Sequence, residues 1–163
     1  MAKKRLIPKL QLLPSSINLG KLSLVTTVEF SKVIEIGDPV SQAKIYESQA
    51  VDELILVDLS YSKKRSRNSF AVDLLNAVAK EVFLPLTIGG GVNSVDDFRL
   101  FLNNGADKIA INSEALANPK LISDAAKLFG SQCVVVSIDY KKDEIGQPQV
   151  YGNSGSRKYN SHP

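Results

Sequence analysis

The residues of this chain that are best suited to chemistry follow short apolar runs. They are Gln11, Asp58, the Gly89–Gly91 run, the Asn112–Ser113 pair and Asp139. If the runs are parallel strands, their carboxyl ends meet at one edge of the sheet, which is where α/β proteins bind ligands. A carboxylate directly after a buried run is costly to bury without a partner or a task. Asp58 and Asp139 therefore either brace a loop or act on a ligand.

The glycine run and the Asn112–Ser113 pair together indicate an anion site. Successive glycines let backbone N–H groups approach an anion closely, because no Cβ intervenes. The alternative is a tight strand-to-helix turn, and the glycines alone do not separate the two. Asn112 and Ser113 add an amide and a hydroxyl at the end of the next run, and both groups can donate to phosphate oxygens. We therefore expect Gly90, Gly91, Asn112 and Ser113 to hold a phosphate.

Composition excludes several classes of function. The 163 residues are 44% hydrophobic with a formal net charge of +3, which is typical of one globular domain and too weakly basic to indicate nucleic acid. The only histidine is His162 and the only cysteine is Cys133, so a histidine triad, a metal cluster and an internal disulfide are not expected. We expect no cofactor, and no apolar stretch resembles a secretion signal or a membrane span. These features predict a cytoplasmic protein.

Short apolar runs alternate with helical patterns along the chain. Five runs predict strands that are buried on both faces, as parallel strands are: Leu6–Ile7, Leu54–Val57, Leu84–Ile88, Lys108–Ile111 and Val134–Ile138. Helix starts are indicated at Asp38–Pro39, Ser94–Asp97 and Asn118–Pro119, helix ends at Gly105 and Gly130, and a vaguer helix spans about residues 70–78. This alternation predicts a single α/β domain over residues 1–163 with right-handed crossovers.

Other segments are expected to be irregular or to lie away from the strand ends. We expect polar loops at residues 14–25 and 60–69, the second basic but solvated, and a hairpin over residues 140–151 followed by a polar tail. Five charged residues precede the predicted strands, at the edge opposite the candidate site, where such charges usually brace the sheet or lie in solvent: Arg5, Asp52, Glu53, Asp107 and Lys108.

Longer segments carry a family resemblance that runs in register over nearly the whole chain. RLIP from Arg5, VDELILVD up to Asp58, PLTIGGG up to Gly91, GADKIAINS up to Ser113 and FGSQCVVVSID up to Asp139 are similar to the cyclase subunit of imidazole glycerol phosphate synthase. The last segment separates the cyclase from its sister isomerase of histidine biosynthesis. Residues 151–155 and the first loop are more similar to cyclase-type paralogues that accompany amidotransferases in surface-sugar biosynthesis.

The resemblance implies a (β/α)₈ barrel that receives ammonia from a glutaminase docked on its N-terminal face. Ammonia attacks a bis-phosphorylated ribulosyl aminoimidazole substrate, which is cleaved and cyclised to imidazole glycerol phosphate and an aminoimidazole carboxamide ribotide. Asp139 matches one of the family's two catalytic aspartates, and Asp58 matches a strand-end aspartate that faces the active site. Residues of one of the family's two phosphate sites are matched by Gly91, Asn112 and Ser113.

The same resemblance assigns roles to the opposite face. Arg5, Glu53 and Lys108 match three charges of the ring that gates ammonia entry. Asp107 and Gln132 match residues near the glutaminase. The implied partners are thus a glutaminase subunit and a phosphorylated small molecule, with no nucleic acid and no membrane.

Three departures from the family pattern bear on activity. Gln11 stands where the family has its other catalytic aspartate, and an amide cannot supply acid–base catalysis, which is worth about 10²–10⁴ in rate. Thr26 aligns with a lysine of the first loop. Five strands with four helices predict an incomplete barrel that this chain alone does not close.

Three interpretations therefore remain open. The chain is an ammonia-using cyclase or its surface-sugar paralogue, or a catalytically impaired half-barrel that binds phosphate or a glutaminase-like partner. The third is a truncated product whose exposed strand edges lead it to aggregate or to pair with another copy or a complementary fragment.

Overall fold

A seven-stranded sheet forms the centre of the molecule. The computed structural model describes residues 4–28, 32–60, 68–153 and 155–159. The strands of the sheet are β1 (Lys9–Pro14), β2 (Leu22–Val28), β3 (Lys32–Gly37), β4 (Leu54–Asp58), β5 (Leu86–Gly89), β6 (Lys108–Ile111) and β7 (Val134–Val136). Their order is β3-β2-β1-β4-β5-β6-β7. Strands β1, β4, β5, β6 and β7 pair in parallel, whereas β2 and β3 add antiparallel to the side of β1.

Helices connect the successive parallel strands. They are α1 (Pro39–Ser48), α2 (Asn68–Glu81), α3 (Val95–Leu102), the short α4 (Ser113–Ala117) and α5 (Lys120–Phe129). The alternation of parallel strands and helices confirms the predicted α/β class. None of the described helices has the length and apolarity that a membrane crossing requires. The basic segment at residues 61–67 and His162 lie outside the described residues.

Two of the three predicted helix starts are confirmed. The Asp38 carboxylate accepts the backbone N–H of Ser41 at 2.7 Å and so caps α1. Ser94 Oγ accepts the backbone N–H of Asp97 at 3.2 Å and caps α3. The start predicted at Asn118–Pro119 is wrong in detail, because α5 begins at Lys120. Asn118 instead closes α4, its N–H donating to the carbonyl of Glu114 at 2.8 Å.

The prediction of the first strand and first loop is wrong. The strand is Lys9–Pro14 rather than Leu6–Ile7, and Leu6 is 63% exposed. Strand β1 alternates in burial, with Leu10 and Leu12 in the core and Gln11 between them. Residues 22–25, expected in a polar loop, begin strand β2 instead. Pairing with both β1 and β3 buries this segment, which local polarity does not reveal.

A second sheet follows the fifth parallel strand. Its strands are β8 (Asp139–Lys142), β9 (Pro148–Gly152) and β10 (Arg157–Tyr159), antiparallel in the order β10-β9-β8. The predicted hairpin is confirmed, and a third strand lies in the segment expected to be only a polar tail. Strand β7 ends at Val136, two residues earlier than expected, so that Asp139 opens β8 instead of ending a parallel strand.

The core lies between the main sheet and its helices, and it fixes the height of each parallel strand. Leu54 and Leu56 of β4 and Ile109 of β6 are fully buried, and they belong to one cluster with Leu75 of α2 and Phe98 of α3. Burial of such side chains supplies most of the favourable free energy of folding. The strand ends that carry the candidate site are therefore held by the core and not by the loops.

We expect the core to dominate stability. Leu56→Ala removes a side chain with 0% exposure, so the free energy of unfolding falls by about 2–5 kcal/mol in urea denaturation. The matched control is Leu19→Ala, the same truncation at a site that is 93% exposed, which we expect to leave the urea midpoint nearly unchanged. Equal losses in the two variants would contradict this assignment of the core.

Candidate functional site

The strand ends with chemical groups lie on neighbouring parallel strands. Gln11 of β1 pairs with Val57 of β4, and Leu12 pairs with Asp58. Val57 pairs in turn with Gly89 of β5, and Gly89 pairs with Ala110 of β6. The register thus puts the C-terminal ends of β1, β4, β5 and β6 at one edge of the sheet.

The glycine run after β5 packs closely against Asp58, at the end of β4. Asp58 Oδ1 accepts two hydrogen bonds from Ser60, from the backbone N–H at 2.8 Å and from Oγ at 2.5 Å. Gly90 has φ +107°, and a Cβ at this residue would collide with the backbone of Asp58. Asp58 therefore braces the loop after β4. A close backbone approach accounts for Gly90, and its contact with an anion stays a prediction.

Asn112 carries a buried side-chain oxygen, Oδ1, that lacks a hydrogen-bond partner among the described residues. Buried polar atoms are nearly always paired, and rotating the amide by 180° would present N–H groups at the same place. A ligand atom at this position would satisfy the amide. Ser113, which follows, accepts the backbone N–H of Asn153 on its Oγ at 2.8 Å.

Asp139 lines a cleft in the second sheet. The cleft is open, has a volume of about 240 Å³ and is lined by Ile138, Asp139, Tyr140, Lys141, Tyr151 and Gly155. Asp139 is paired with Tyr151 across the sheet, and Lys141 Nζ lies 5.3 Å from the centroid of the Tyr151 ring. Tyr151 is two residues before Asn153, which is bonded to Ser113. Strand β9 thus connects Asp139 to Ser113, the first residue of α4.

The Gln11 amide is engaged by the antiparallel hairpin. Its Oε1 accepts the hydroxyl of Thr27 at 3.3 Å. Thr27 lies on β2, next to the exposed Thr26 that aligns with the lysine of the family. Thr27 was not predicted, because no element was expected between the polar loop at residues 14–25 and the helix start at Asp38–Pro39. The signal was present in the β-branched Val25–Val28 segment, which is typical of a strand.

The opposite edge of the sheet holds a buried ion cluster. Glu53, which is 4% exposed, accepts Lys108 Nζ at 2.6 Å and Arg5 Nη1 at 3.5 Å on the same carboxylate oxygen. Its other oxygen accepts the Thr87 hydroxyl at 2.7 Å. The structure therefore brings Arg5, Glu53 and Lys108 together, and their role as a gate stays a prediction. It adds Thr87, for which the available signal was a hydroxyl inside an apolar strand.

The cluster keeps Glu53 ionised. Burial alone raises the pKa of its carboxyl group. The hydrogen bonds from Lys108 and Thr87, with the charges of Lys108 and Arg5, outweigh burial and hold the pKa of Glu53 below its ordinary value of 4.5. A negative charge is therefore fixed near the N-terminal ends of β4, β5 and β6.

The remaining residues of this face brace the backbone or lie in solvent. Asp107 Oδ2 accepts the backbone N–H of Leu86 at 2.8 Å, and an Asp52 oxygen accepts the N–H of Leu6 at 2.7 Å. Gln132 is exposed in the turn Ser131–Cys133, and its Nε2 donates to the carbonyl of Phe129 at 3.4 Å. Bracing by Asp52 and Asp107 agrees with the prediction for charges that precede strands.

Comparison with known proteins places the chain in a family. A model described as "Histidine biosynthesis protein" matches residues 15–162. The chain belongs to this family. It is 41% identical over 158 residues, 96% of its length, to an imidazole glycerol phosphate synthase subunit HisF of Limosilactobacillus fermentum. It is 45% identical over 96% of its length to a putative imidazole glycerol phosphate synthase subunit hisF2 of Prochlorococcus marinus. It covers 57% and 59% of these relatives, so it spans less than three fifths of their length.

We expect Glu53 to be the costliest charge to remove in this family member. Glu53→Gln leaves Lys108 without its anion in a partly buried site, so the free energy of unfolding falls by about 1.5–3 kcal/mol at pH 7. Glu81→Gln is the matched control, because the Glu81–Lys44 pair is equally short at 2.8 Å but exposed at the surface. We expect the control to unfold at nearly the native urea concentration.

The difference between native and Glu53→Gln chains depends on pH in a direction that follows from the pKa. A carboxyl whose pKa is lowered by folding contributes stability above its unfolded pKa and loses that contribution as pH falls through the folded value. The two unfolding curves are therefore expected to converge as the pH falls below the ordinary carboxyl value of 4.5 and through the lowered pKa of Glu53. A gap that persists or widens in acid would contradict the ionised state of Glu53.

Proposed function

We propose that residues 1–163 form the first five βα units of a (β/α)₈ barrel of the imidazole glycerol phosphate synthase cyclase type. Two facts support this proposal. The parallel strands lie in the order β1-β4-β5-β6-β7, and the chain covers only 57% and 59% of the length of the two relatives. Strand β2 already pairs with residues 11–14 of β1. A closing strand would therefore meet β1 at its N-terminal part, near Lys9 and Leu10. The opposite edge of β7 would receive the next strand.

The proposed reaction is ammonia-dependent. A glutaminase subunit delivers ammonia at the N-terminal face, and the ammonia reacts with a phosphoribulosyl aminoimidazole carboxamide substrate. Cleavage and cyclisation give imidazole glycerol phosphate, for histidine biosynthesis, and release the other fragment as an aminoimidazole carboxamide ribotide. The free Cys133 fits a reducing compartment such as the cytoplasm.

The observation that carries the proposal is the separation of two kinds of group at the two ends of the same strands. The Glu53 cluster lies at the N-terminal ends, and a carboxylate between two cations suits a gate that a small neutral molecule must pass. The phosphate is proposed to sit at the C-terminal ends, on Gly90, Gly91, Asn112 and Ser113. The unpartnered Asn112 oxygen supports a ligand there.

Asp139 is the proposed acid–base residue of the reaction. It is partly buried in the open cleft, where a substrate has access to its carboxylate. Asp58 is proposed to act through the loop that it braces, because Oδ1 is already committed to Ser60. Asp107 and Gln132 are proposed to face the glutaminase.

A second candidate function is binding of the phosphorylated ligand without turnover. The Gln11 amide favours this function, because it cannot take or give a proton and is held by Thr27. In that case the phosphate site and the partner face persist, while the proton transfer assigned to the first strand is lost.

Gln11→Asp separates the two functions. The native chain and the variant are each mixed with the C-terminal two fifths of the Limosilactobacillus fermentum relative and assayed for imidazole glycerol phosphate with ammonium as nitrogen source. We expect the variant to turn over at least about 10²-fold faster, because it regains a titratable group. Thr27→Val is the control, since it frees the Gln11 amide without adding a carboxylate, and it is expected to match the native rate.

The results of this assay distinguish the two functions. A native mixture that is as fast as Gln11→Asp would eliminate the binding function. If neither mixture shows turnover but phosphate binding is detected by ³¹P titration, the result would favour binding over catalysis. The absence of both turnover and phosphate binding would contradict both functions.

A further inference from the structure

We infer that the second sheet is a positioning element for the phosphate site, and that the backbone N–H of Asn153 holds the Ser113 hydroxyl in the orientation that donates to the ligand. The inference rests on the proposed phosphate site. It assigns a role to strands β8, β9 and β10, which neither the family match nor the motif at Ser113 provides.

The central contact is a hydrogen bond between the residue after β9 and the first residue of helix α4. Asn153 N donates to Ser113 Oγ at 2.8 Å, across 40 residues of sequence. A serine hydroxyl has one proton and two acceptor lone pairs. The Asn153 N–H occupies one lone pair, so the O–H bond must point away from Asn153. This contact excludes one of the three staggered positions of the hydroxyl hydrogen and leaves the two that point away from Asn153.

Gly152 leaves little space for a side chain beside this contact. A Cβ at residue 152 would lie 3.0 Å from Tyr159 Cε2, 3.4 Å from Leu116 Cδ1 and 3.5 Å from Ser113 Oγ. The first distance is closer than carbon atoms normally approach, whereas the two distances to α4 are ordinary contacts. A methyl group would therefore press on Tyr159, and side-chain atoms beyond Cβ would also have to displace α4.

The turn after Gly152 also fits this role. Asn153 has φ +51°, a left-handed conformation that asparagine tolerates better than most residues. Its carbonyl accepts the hydroxyl of Ser156 at 2.6 Å, which holds the turn into β10. Both the N–H and the carbonyl of Asn153 are therefore hydrogen-bonded, to Ser113 and to Ser156.

The same strand fixes a second proposed site residue. Asp139 pairs with Tyr151 on β9, and Asn153 follows two residues later. A shift of β9 against α4 would therefore move Asp139 and release Ser113 together. The second sheet links the proposed acid–base group to the proposed phosphate donor.

The test is a double-mutant cycle that reads the dissociation constant of inorganic phosphate by ³¹P titration. Gly152→Val wedges β9 away from α4, and we expect it to weaken phosphate binding about tenfold, which corresponds to one hydrogen bond to a charged group. Ser113→Ala is expected to weaken binding equally. In the Ser113→Ala background, Gly152→Val is expected to cause no further loss, because both changes remove the same donor.

Gln147→Val is the matched control. It introduces valine at an exposed, uncharged residue that directly precedes the first residue of β9. We expect this variant to keep the native affinity for phosphate. Equal tenfold losses from Gly152→Val in both backgrounds would show that the second sheet acts through packing and not through Ser113. That result, or native affinity in Gly152→Val, would overturn the inference.

Hydrogen exchange of the Asn153 amide tests the contact without any ligand, and it covers the case in which Gly152→Val does not fold. We expect exchange to be about tenfold faster in Ser113→Ala and unchanged in Ser113→Thr, which keeps an acceptor. Equal exchange in all three chains would overturn the inference. A native chain that binds no phosphate would refute the anion site itself, whereas phosphate binding that is insensitive to Gly152→Val would refute only the role of the second sheet.

Discussion

The parallel pairing of β1, β4, β5 and β6 is the constraint on which the rest of the molecule depends. Parallel strands share one direction, so residues that precede them meet at one edge and residues that follow them meet at the other. Glu53 and Lys108 therefore meet although 55 residues separate them. The same register brings the ends of β4, β5 and β6, with Asp58, Gly90 and Asn112, to the opposite edge. The buried leucines that fix the strand heights thus also fix both chemical faces.

The two faces differ in how their polar groups are satisfied. At the N-terminal edge, both oxygens of Glu53 have partners, Lys108 and Thr87, at 2.6 and 2.7 Å. A buried carboxylate that lacked such partners would be neutralised or expelled. At the C-terminal edge, the buried Asn112 oxygen has no partner among the described residues. A closed, satisfied cluster suits a structural or gating role, whereas an unsatisfied amide is typical of a place that a ligand completes.

The sequence predicted the parallel strands β4 to β7 and the β8–β9 hairpin, but it misplaced β1 and missed β2 and β3, for a physical reason. A strand such as Leu54–Asp58 is buried on both faces, so its apolar run is visible without knowledge of its neighbours. Strand β2 pairs with β1 and β3, and its first half follows a polar segment that hides its start, although the β-branched residues from Val25 to Val28 are typical of a strand. Gln11 was identified from its place in the motif, but its contact with Thr27 depends on this pairing. The Asn153–Ser113 contact joins segments too distant for any local pattern to reveal.

The hairpin of β2 and β3 has a further consequence for the architecture. It covers the edge of β1 from Gln11 to Pro14, while the parallel pairing with β4 covers Lys9 to Leu12 on the other side. A sheet that closed into a barrel would need the uncovered part of that edge, and only Lys9 and the residues beside it are left for this purpose. The hairpin therefore shields the C-terminal half of β1, where an exposed edge would otherwise invite pairing with other chains. Because Thr27 lies on the same hairpin, shielding of this edge and orientation of the Gln11 amide depend on one element.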